Sequence, residues 1–151
     1  MLEPCKECKY LGKFDLSNNG IVEKLHGPTY QLYNGEALPL EGRFHFDVRI
    51  ILIKNNNIVV GVITEKCKEE QFSFKKMNCI CYNGYDGSIC EEDRQKYVNF
   101  KPKEGNRIRT LVDMANSRVD WYIMDGNQVR NHIGSAVIPP SMLKQPLFPY
   151  F

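Results

Sequence analysis

Two short apolar runs in the C-terminal half of the chain alternate in the way that is typical of β-strands. The first run is Ile108–Met114 and the second is Val119–Met124, joined by the more polar tetrapeptide Ala115–Arg118. In the second run, Trp121 and the residues two positions before and after it share one face of an extended chain. We therefore predict two antiparallel strands, with the indole of Trp121 in the core.

A tight turn and a third strand follow the second run. Asp125-Gly126 can take the positive φ of a two-residue turn, and Gln128–Ile133 continues as another strand. Asp113 ends the first run. We expect its carboxylate to cap the turn before Ala115–Arg118, with a ligand-contacting role as the weaker alternative.

Similar patterns mark strands on both sides of this region. Gly42–Ile53 alternates apolar with charged residues, which predicts one buried and one solvated face. Ile58–Thr64 is almost continuously apolar, which suits a central strand covered on both faces. Shorter strands are predicted at Ile21–Leu25, Thr29–Tyr33, Met77–Tyr82 and Leu147–Phe151.

Turn-forming and polar segments separate these strands. Asn19-Gly20 and Asn34-Gly35 are strong turn dipeptides. Asn83–Cys90 contains two glycines and predicts a loop, whereas Glu65–Lys76 and Glu91–Lys96 are polar and predict a charged loop and solvated surface. Many short strands with almost no helix predict an all-β fold, a sandwich of two antiparallel sheets.

Length and composition agree with one ordinary globular domain. The chain has 151 residues, of which 42% are hydrophobic and 25% charged; this is enough for one sizeable core and too little for two. We predict a single domain over residues 1–151, with residues 1–13 as a candidate N-terminal arm.

Charge and hydropathy exclude several classes of partner. The net charge is only +2, with lysines and arginines scattered, so no basic block indicates nucleic acid or an anionic membrane. No apolar run is long enough to cross a bilayer, and the polar N-terminus does not look like a signal peptide. The predicted location is therefore cytoplasmic, where the six cysteines would be mostly reduced.

Cys5 and Cys8 are the only pair with the spacing of half a zinc site. The same pair could be a redox couple, but unpaired thiols are the favoured interpretation, because no second pair completes the pattern. The pair Cys79-x-Cys81 would lie on one face of a strand. We therefore expect no cofactor and regard Cys5 and Cys8 as weak metal-ligand candidates.

Motifs of catalytic sites are missing from the sequence. There is no Gly-x-Ser-x-Gly elbow, no His-Glu-x-x-His and no phosphate-binding glycine loop. Glu91, Glu92 and Asp93 form a run of carboxylates, but adjacent residues diverge and rarely form an acid/base pair. The sequence therefore favours a protein that is not an enzyme.

Several segments, taken in order, resemble the SPRY domain family. GRFHFDVRI and IVVGVIT are similar to the family's early strand pair, and CYNGYDGS is similar to its aromatic-glycine-tyrosine stretch. EGNRIRTLVDM, VDWYIMDGNQV and LKQPLFPYF resemble later strands, so the resemblance covers Gly42–Phe151. Asn106 replaces a preferred acid, and Asp125 replaces a preferred asparagine. The chain ends earlier than is common in the family, so either it is a trimmed piece or its N-terminal segment completes the sheet.

The resemblance implies a bent, concanavalin-like sandwich whose loops bind a short peptide or partner protein, without catalysis. Such domains are commonly one part of a larger scaffold or complex. One alternative is a structural assembly subunit, in which the Cys5–Cys8 arm and Leu147–Phe151 would be buried against another chain. A carbohydrate-binding sandwich ranks lower, because no clustered Asp/Asn calcium loop is present.

Three groups of loop residues are the candidate partner-binding sites. The first joins aromatic side chains to a carboxylate beside glycines, which suits peptide binding; for Tyr85, simple packing over the sandwich edge is an equal alternative. The other two groups follow from their position between strands. The groups are Tyr82, Tyr85 and Asp86; Tyr33, Asn34 and Glu36; and Asp125, Asn127 and Arg130.

Overall fold

Extended backbone accounts for nearly all of the regular structure in the part of this protein that is described. The structure, a computed structural model, describes residues 37–50, 58–65, 79–91 and 94–150, together with the backbone of four two-residue strands before them. The elements among these residues are β1 (Glu3–Pro4), β2 (Phe14–Asp15), β3 (Glu23–Lys24), β4 (Tyr33–Asn34), β5 (Arg43–Arg49), β6 (Val59–Thr64), β7 (Cys79–Asn83), β8 (Ser88–Glu91), β9 (Arg94–Tyr97), β10 (Arg107–Asp113), β11 (Arg118–Asp125), β12 (Gln128–Val137), α1 (Pro140–Leu143) and β13 (Leu147–Tyr150).

Two large antiparallel sheets pack face to face. One has seven strands in the order β1-β4-β13-β6-β7-β8-β9, and the other has four in the order β12-β11-β10-β5. Strands β2 and β3 form a separate pair. Buried residues from both sheets form a single cluster between them. The prediction of an all-β sandwich with little helix is confirmed.

Trp121 lies at the centre of this core, as predicted, with no exposed surface. Its indole Nε1 donates a hydrogen bond to the carbonyl oxygen of Val60 at 3.1 Å, which links the four-stranded sheet to the backbone of the seven-stranded one. This bond offsets the cost of burying the indole N–H. The side chains around it include Val62, Ile80, Ile89, Ile108, Val112, Val119 and Ile123.

Strand β6 is buried along its whole length, as the apolar run Ile58–Thr64 predicts. It lies between β13 and β7. At Gly61 a Cβ would lie 2.0 Å from the carbonyl oxygen of Ile80 and 2.6 Å from the Cα of Cys81. Glycine is therefore required here because the backbone of β7 approaches too closely for any side chain.

The four-stranded sheet contains the strands that the alternating patterns predict. Along β5 the apolar residues are half-buried and the charged residues between them are exposed. At the β11–β12 hairpin, Asp125 pairs with Gln128 and Gly126 has a φ of +58°. Strand β12 continues to Val137, beyond the predicted end. The register shift between Trp121 and Tyr122 produces a bulge in this strand.

The two positions that depart from the SPRY pattern both retain turn geometry. Asn106 Oδ1 accepts a hydrogen bond from the backbone N–H of Lys103 at 2.8 Å, as a carboxylate would. Asp125 stands directly before the left-handed Gly126. Strand β1, which pairs with β4, brings the N-terminal segment into the seven-stranded sheet.

Two predicted irregular segments are partly wrong. The predicted loop Asn83–Cys90 is a turn over residues 84–87 only, and Ser88–Glu91 forms β8. The predicted solvated run Glu91–Lys96 contains most of β9, an edge strand whose four side chains are all exposed. The exposure was predicted correctly. The strand was missed because an edge strand with two solvated sides lacks an apolar alternation.

Some predictions fall outside the described residues. These are the Cys5–Cys8 pair, most of Glu65–Lys76, and residues 51–53 of the first long strand. The zinc or redox interpretation of Cys5 and Cys8 stays a prediction. In the part of the chain that the structure describes, no helix is both long and apolar enough to span a membrane.

Candidate functional site

The turn between β7 and β8 is held in shape by its own side chains. Asn83 Oδ1 accepts a hydrogen bond from the backbone N–H of Tyr85 at 3.0 Å, and Asp86 Oδ1 accepts one from Ser88 N–H at 3.1 Å. Each bond links a side chain to the backbone two residues ahead, the geometry of an Asx-turn. Gly87, with a φ of +70°, completes the turn. The connection is therefore well defined without any ligand.

Asp86 also ties this turn to the neighbouring edge strand. Its Oδ1 accepts a second hydrogen bond from Ser88 Oγ at 2.5 Å, and its Oδ2 accepts one from Gln95 Nε2 at 2.8 Å. Gln95 Nε2 is in addition 3.0 Å from Ser88 Oγ. The carboxylate predicted to contact a partner is thus engaged inside the protein, where it fixes the turn on β9.

Tyr82 cannot line a surface, which corrects its assignment as a partner-binding residue. Its side chain has no exposed area, and its hydroxyl donates to the carbonyl oxygen of Phe100 at 2.7 Å. Burial, together with the nearby negative charge of Asp86, raises the pKa of this phenol far above its ordinary value. The ring faces the core because Tyr82 alternates with the outward Cys81 along β7.

Tyr85 is the exposed aromatic residue of this turn, with 56% of its surface accessible. A second exposed tyrosine, Tyr97, is 62% accessible and pairs with Ser88 across β8 and β9. The two phenols therefore belong to the same end of the seven-stranded sheet. Sequence reasoning missed Tyr97 because it treated the polar run before this residue as plain solvated surface.

The second predicted group does not form a loop in the described backbone. Tyr33 and Asn34 constitute β4, which pairs with β1 on one side and β13 on the other. Glu36 lies outside the described residues. Tyr33 lies in a strand, as the predicted strand Thr29–Tyr33 requires, but strand pairing continues through Asn34, so the loop proposed for this group begins no earlier than Gly35, which lies outside the described residues.

The third predicted group lies on the exposed β11–β12 hairpin. Asp125, Asn127 and Arg130 are all exposed, as is the apolar Val129. Arg107 donates from its guanidinium to the carbonyl oxygen of Gly126, which anchors the turn to β10. Arg130 has no partner in the register with β11, so it lies at a bulge.

The first and third groups lie at the same end of the sandwich. Glu91 Oε1 accepts a hydrogen bond from the backbone N–H of Val137 at 2.7 Å, and Gly134 has no room for a Cβ because Ile89 packs against it. Residues 91 to 89 of β8 therefore lie opposite residues 137 to 134 of β12, and the two stretches run in the same direction when each is traced towards lower residue numbers. Continued in the same direction, the two strands bring the 84–87 turn and the Gly126 turn to one end.

Three buried thiols lie on the face of the seven-stranded sheet that points away from the core. Cys79, Cys81 and Cys90 carry thiol groups and pack with Phe148 and Tyr150. Hydrogen bonding to Cys79 and Cys90, together with burial, raises the pKa of the Cys81 thiol well above its ordinary value. A raised pKa favours the protonated thiol, which is the less nucleophilic form. Among the described residues, no cluster of three or more His, Cys, Asp or Glu could hold a metal ion.

Comparison with known proteins agrees with this architecture. The family model of the SPRY domain matches residues 43–151, whereas no curated protein matches the chain. Among solved structures, the TRIM65 PSpry domain is similar with a TM-score of 0.71 at 12% identity, over 99% of this chain and 83% of that chain. The SPRY domain of human HERC1 has a TM-score of 0.59 at 14% identity, over 79% of this chain and 71% of that chain.

A further human SPRY domain has a TM-score of 0.56 at 15% identity, over 83% of this chain and 79% of that chain. Identities this low show a shared fold and nothing about binding. The family match, by contrast, spans well over half of the sequence and includes both sheets of the sandwich. The chain belongs to the SPRY domain family.

Proposed function

We propose that this chain is a non-catalytic docking module that binds a short peptide or a partner protein at the sandwich end carrying Tyr85. SPRY domains are generally protein-interaction modules. One observation carries the choice of surface: an exposed phenol is mounted on a turn that internal hydrogen bonds already fix. Binding through Tyr85 would therefore order little that is not ordered beforehand, which keeps the entropic cost low.

The residues around Tyr85 have two roles: some would contact the partner, and one holds the turn in place. Tyr85 and Tyr97 supply aromatic surface, and the hairpin residues Asp125, Asn127 and Arg130 supply polar groups at the same end. Asp86 is a positioning residue, because its carboxylate is occupied by Ser88 and Gln95. This division extends the site beyond the residues predicted from the sequence.

The docking proposal is favoured over the assembly alternative. That alternative expects Leu147–Phe151 to be buried against another chain. Residues Leu147–Tyr150 are instead buried within the protein's own sheet, between β4 and β6. We place the module in the cytoplasm, where the thiols of Cys79, Cys81 and Cys90 would stay reduced.

Peptide selection followed by point variants tests the docking proposal. Random peptides are displayed against the immobilised protein, and the affinity of a selected peptide is measured for the wild type, Tyr85→Ala and Val137→Ala. Val137 is an equally exposed apolar residue at the opposite end of β12, so it is the matched control. We expect Tyr85→Ala to weaken binding at least about tenfold, as is typical of an aromatic anchor, and Val137→Ala to leave it unchanged.

Thermal unfolding of both variants checks that neither substitution has disturbed the fold. A selected peptide that binds wild type and Tyr85→Ala equally, with both proteins folded, would contradict the assignment of this surface. So would a peptide whose binding depends on Val137.

A further inference from the structure

The outer face of the four-stranded sheet carries an ordered array of arginines that the docking site above does not use. Residues 107, 109 and 113 of β10 lie between their cross-strand partners on β5 and β11. The residues between them, Ile108, Thr110 and Val112, are fully buried. Because side chains alternate along a strand, residues 107, 109 and 113 point away from the core. The arginines on this surface, here called the arginine face, are Arg43, Arg49, Arg107, Arg109 and Arg118.

The arginine face accounts for the net charge of the whole chain. Five of the 20 basic residues and three of the 18 acidic residues lie on it, so the rest of the chain is balanced. The three acids are Asp47, Asp113 and Asp120. A modest overall charge of +2 is thus concentrated on one sheet face, which composition alone does not reveal.

The acids on this face already have partners within the protein, and Asp113 and Asp120 are also largely buried. Asp47 accepts two hydrogen bonds from Arg109, at 2.8 and 3.0 Å, and lies 3.3 Å from Arg107 Nε. Asp120 Oδ1 accepts from Arg118 at 2.8 Å and contacts His132 Nε2 at 2.9 Å. These carboxylates orient the guanidinium groups around them.

Two of the cations, Arg43 and Arg118, are in contrast turned towards solvent. The side chains of Arg43 and Arg118 are 66% and 51% exposed, whereas those of their acidic partners Asp113 and Asp120 are 11% and 7% exposed. Arg49 forms no ion pair within the described residues. A partner approaching Arg43 and Arg118 would therefore meet positive charge first, with the carboxylates of Asp113 and Asp120 beneath it.

Tyr122 and His132 add a pair of aromatic rings among these charges. Their ring centroids are 5.0 Å apart, and Tyr122 pairs with Arg109 across the ladder. The evenly spaced phosphates of a nucleic acid would come close to the carboxylates of Asp47, Asp113 and Asp120. The resulting repulsion disfavours nucleic acid as the partner. A peptide that mixes carboxylates with apolar side chains would match both features of the surface.

We propose that the arginine face is a second interaction surface, which binds an acidic, extended protein segment through Arg43 and Arg118. This surface lies on a sheet face, whereas the docking site lies at the end of the sandwich, so the two can bind independently. Carboxylates of the bound segment would accept hydrogen bonds from the guanidinium N–H groups that Asp113 and Asp120 leave free.

Binding of a defined synthetic peptide tests the proposal. The probe is a fluorescent extended peptide in which Glu alternates with Leu, compared with the same peptide carrying Gln in place of Glu. Affinities are measured for the wild type, for Arg43→Gln/Arg118→Gln, and for the control Arg94→Gln/Lys101→Gln. The control removes the same charge from exposed residues away from this sheet.

We expect the Glu peptide to bind the wild type, to bind the Arg43/Arg118 variant about tenfold more weakly, and to bind the control within about twofold. Arg43→Lys/Arg118→Lys should restore most of the affinity, which excludes loss through misfolding. Tyr85→Ala should leave this binding unchanged, so failure here is distinguishable from failure of the docking site.

Three results would overturn the proposal. One is equal binding of the Glu and Gln peptides. Another is equal weakening by the control pair, which would show a response to net charge alone. The last is tighter, Arg43- and Arg118-dependent binding of duplex DNA or of phosphatidylserine vesicles, which would assign the face to nucleic acid or membrane.

Discussion

At the scale of single residues, two tyrosines three positions apart have opposite roles. Tyr82 donates its hydroxyl to Phe100 inside the core, and Tyr85 points into solvent from the adjoining turn. The sequence places Tyr82 at the end of the predicted strand Met77–Tyr82 and Tyr85 in the loop that follows, but it does not show that the ring of Tyr82 faces the core. They separate because β7 ends at Asn83, so Tyr82 is still within a strand and Tyr85 is not.

Matched Tyr→Phe substitutions should show this division. Tyr82→Phe removes a buried hydroxyl and leaves the Phe100 carbonyl without that donor, so we expect a loss of about 1 kcal/mol in the free energy of unfolding. Tyr85→Phe removes an exposed hydroxyl and should change it by less than about 0.5 kcal/mol. Urea unfolding followed by circular dichroism measures both. Equal effects of the two substitutions would contradict the assignment.

Replacing the buried Thr110 is expected to stabilise the protein. Its hydroxyl is buried in the middle of β10 and has no hydrogen-bond partner within the described residues. Thr110→Val keeps the shape and removes the unsatisfied hydroxyl, so we expect a gain of about 1 kcal/mol in unfolding free energy. Ser88→Ala is the contrasting substitution. The Ser88 Oγ forms hydrogen bonds with Asp86 and Gln95, so removing it should destabilise the protein. A less stable Thr110→Val protein would show that the hydroxyl is satisfied.

At the scale of elements, close approach between strands decides what the sequence can tolerate. The pairing of β6 with β7 leaves backbone atoms of β7 only 2.0 and 2.6 Å from the position that a Cβ on Gly61 would occupy. Elsewhere in the chain, glycines such as Gly105 and Gly126 serve turns and have open space around them. Only the register shows which glycine is required for packing.

Gly61→Ala should therefore be far more damaging than Gly105→Ala. We expect the first substitution to cost about 3 kcal/mol or more, because β6 and β7 must move apart. Gly105 has a φ of +86°, so alanine there should cost about 1 kcal/mol through backbone strain alone. The midpoints of urea unfolding of the purified variants measure the difference. If only Gly61→Ala gives no cooperative unfolding transition, that result also supports the prediction. A midpoint for Gly61→Ala at or above that of Gly105→Ala would contradict this.

At the scale of the whole molecule, the carboxylates of the arginine face link stability to pH. Burial alone would raise the pKa of Asp47, but the hydrogen bond and charge of Arg109, helped by Arg107 and His45, outweigh it, so the pKa lies below its ordinary value. Hydrogen bonds from the Asn116 side chain and backbone, with a smaller contribution from Arg43, lower the pKa of Asp113. A lowered pKa means that folding favours the charged form.

Stability from these two groups should be fully present above the pKa of the unfolded chain, about 4, and should disappear as pH falls through the lower folded values. We therefore expect Asp47→Asn to be less stable than wild type at neutral pH, and the difference to shrink as pH falls below about 4. Urea unfolding over this pH range measures it. Glu41→Gln, at an exposed position just before β5, is the control. A difference that stays constant with pH would contradict the linkage.

The sequence by itself determined which residues share a face. Alternation placed Trp121 in the core, predicted the strands of the four-stranded sheet, and assigned the Asp125-Gly126 turn, because side-chain direction in a strand depends only on local backbone geometry. Asp113 also caps its turn as predicted, by accepting a hydrogen bond from Asn116 N–H at 3.0 Å. From Arg43 onward, the segments quoted for the SPRY resemblance lie within the family match.

Only the tertiary structure decided which faces are covered and which residues meet. The partners of Arg109 are Asp47, 62 residues earlier, and Tyr122 on the next strand; no local pattern encodes that pairing. The burial of Tyr82, the edge position of β9 and the arginine face follow from the same cause. They depend on how distant strands align in register, and that is determined by packing of the whole sandwich and not by any single segment.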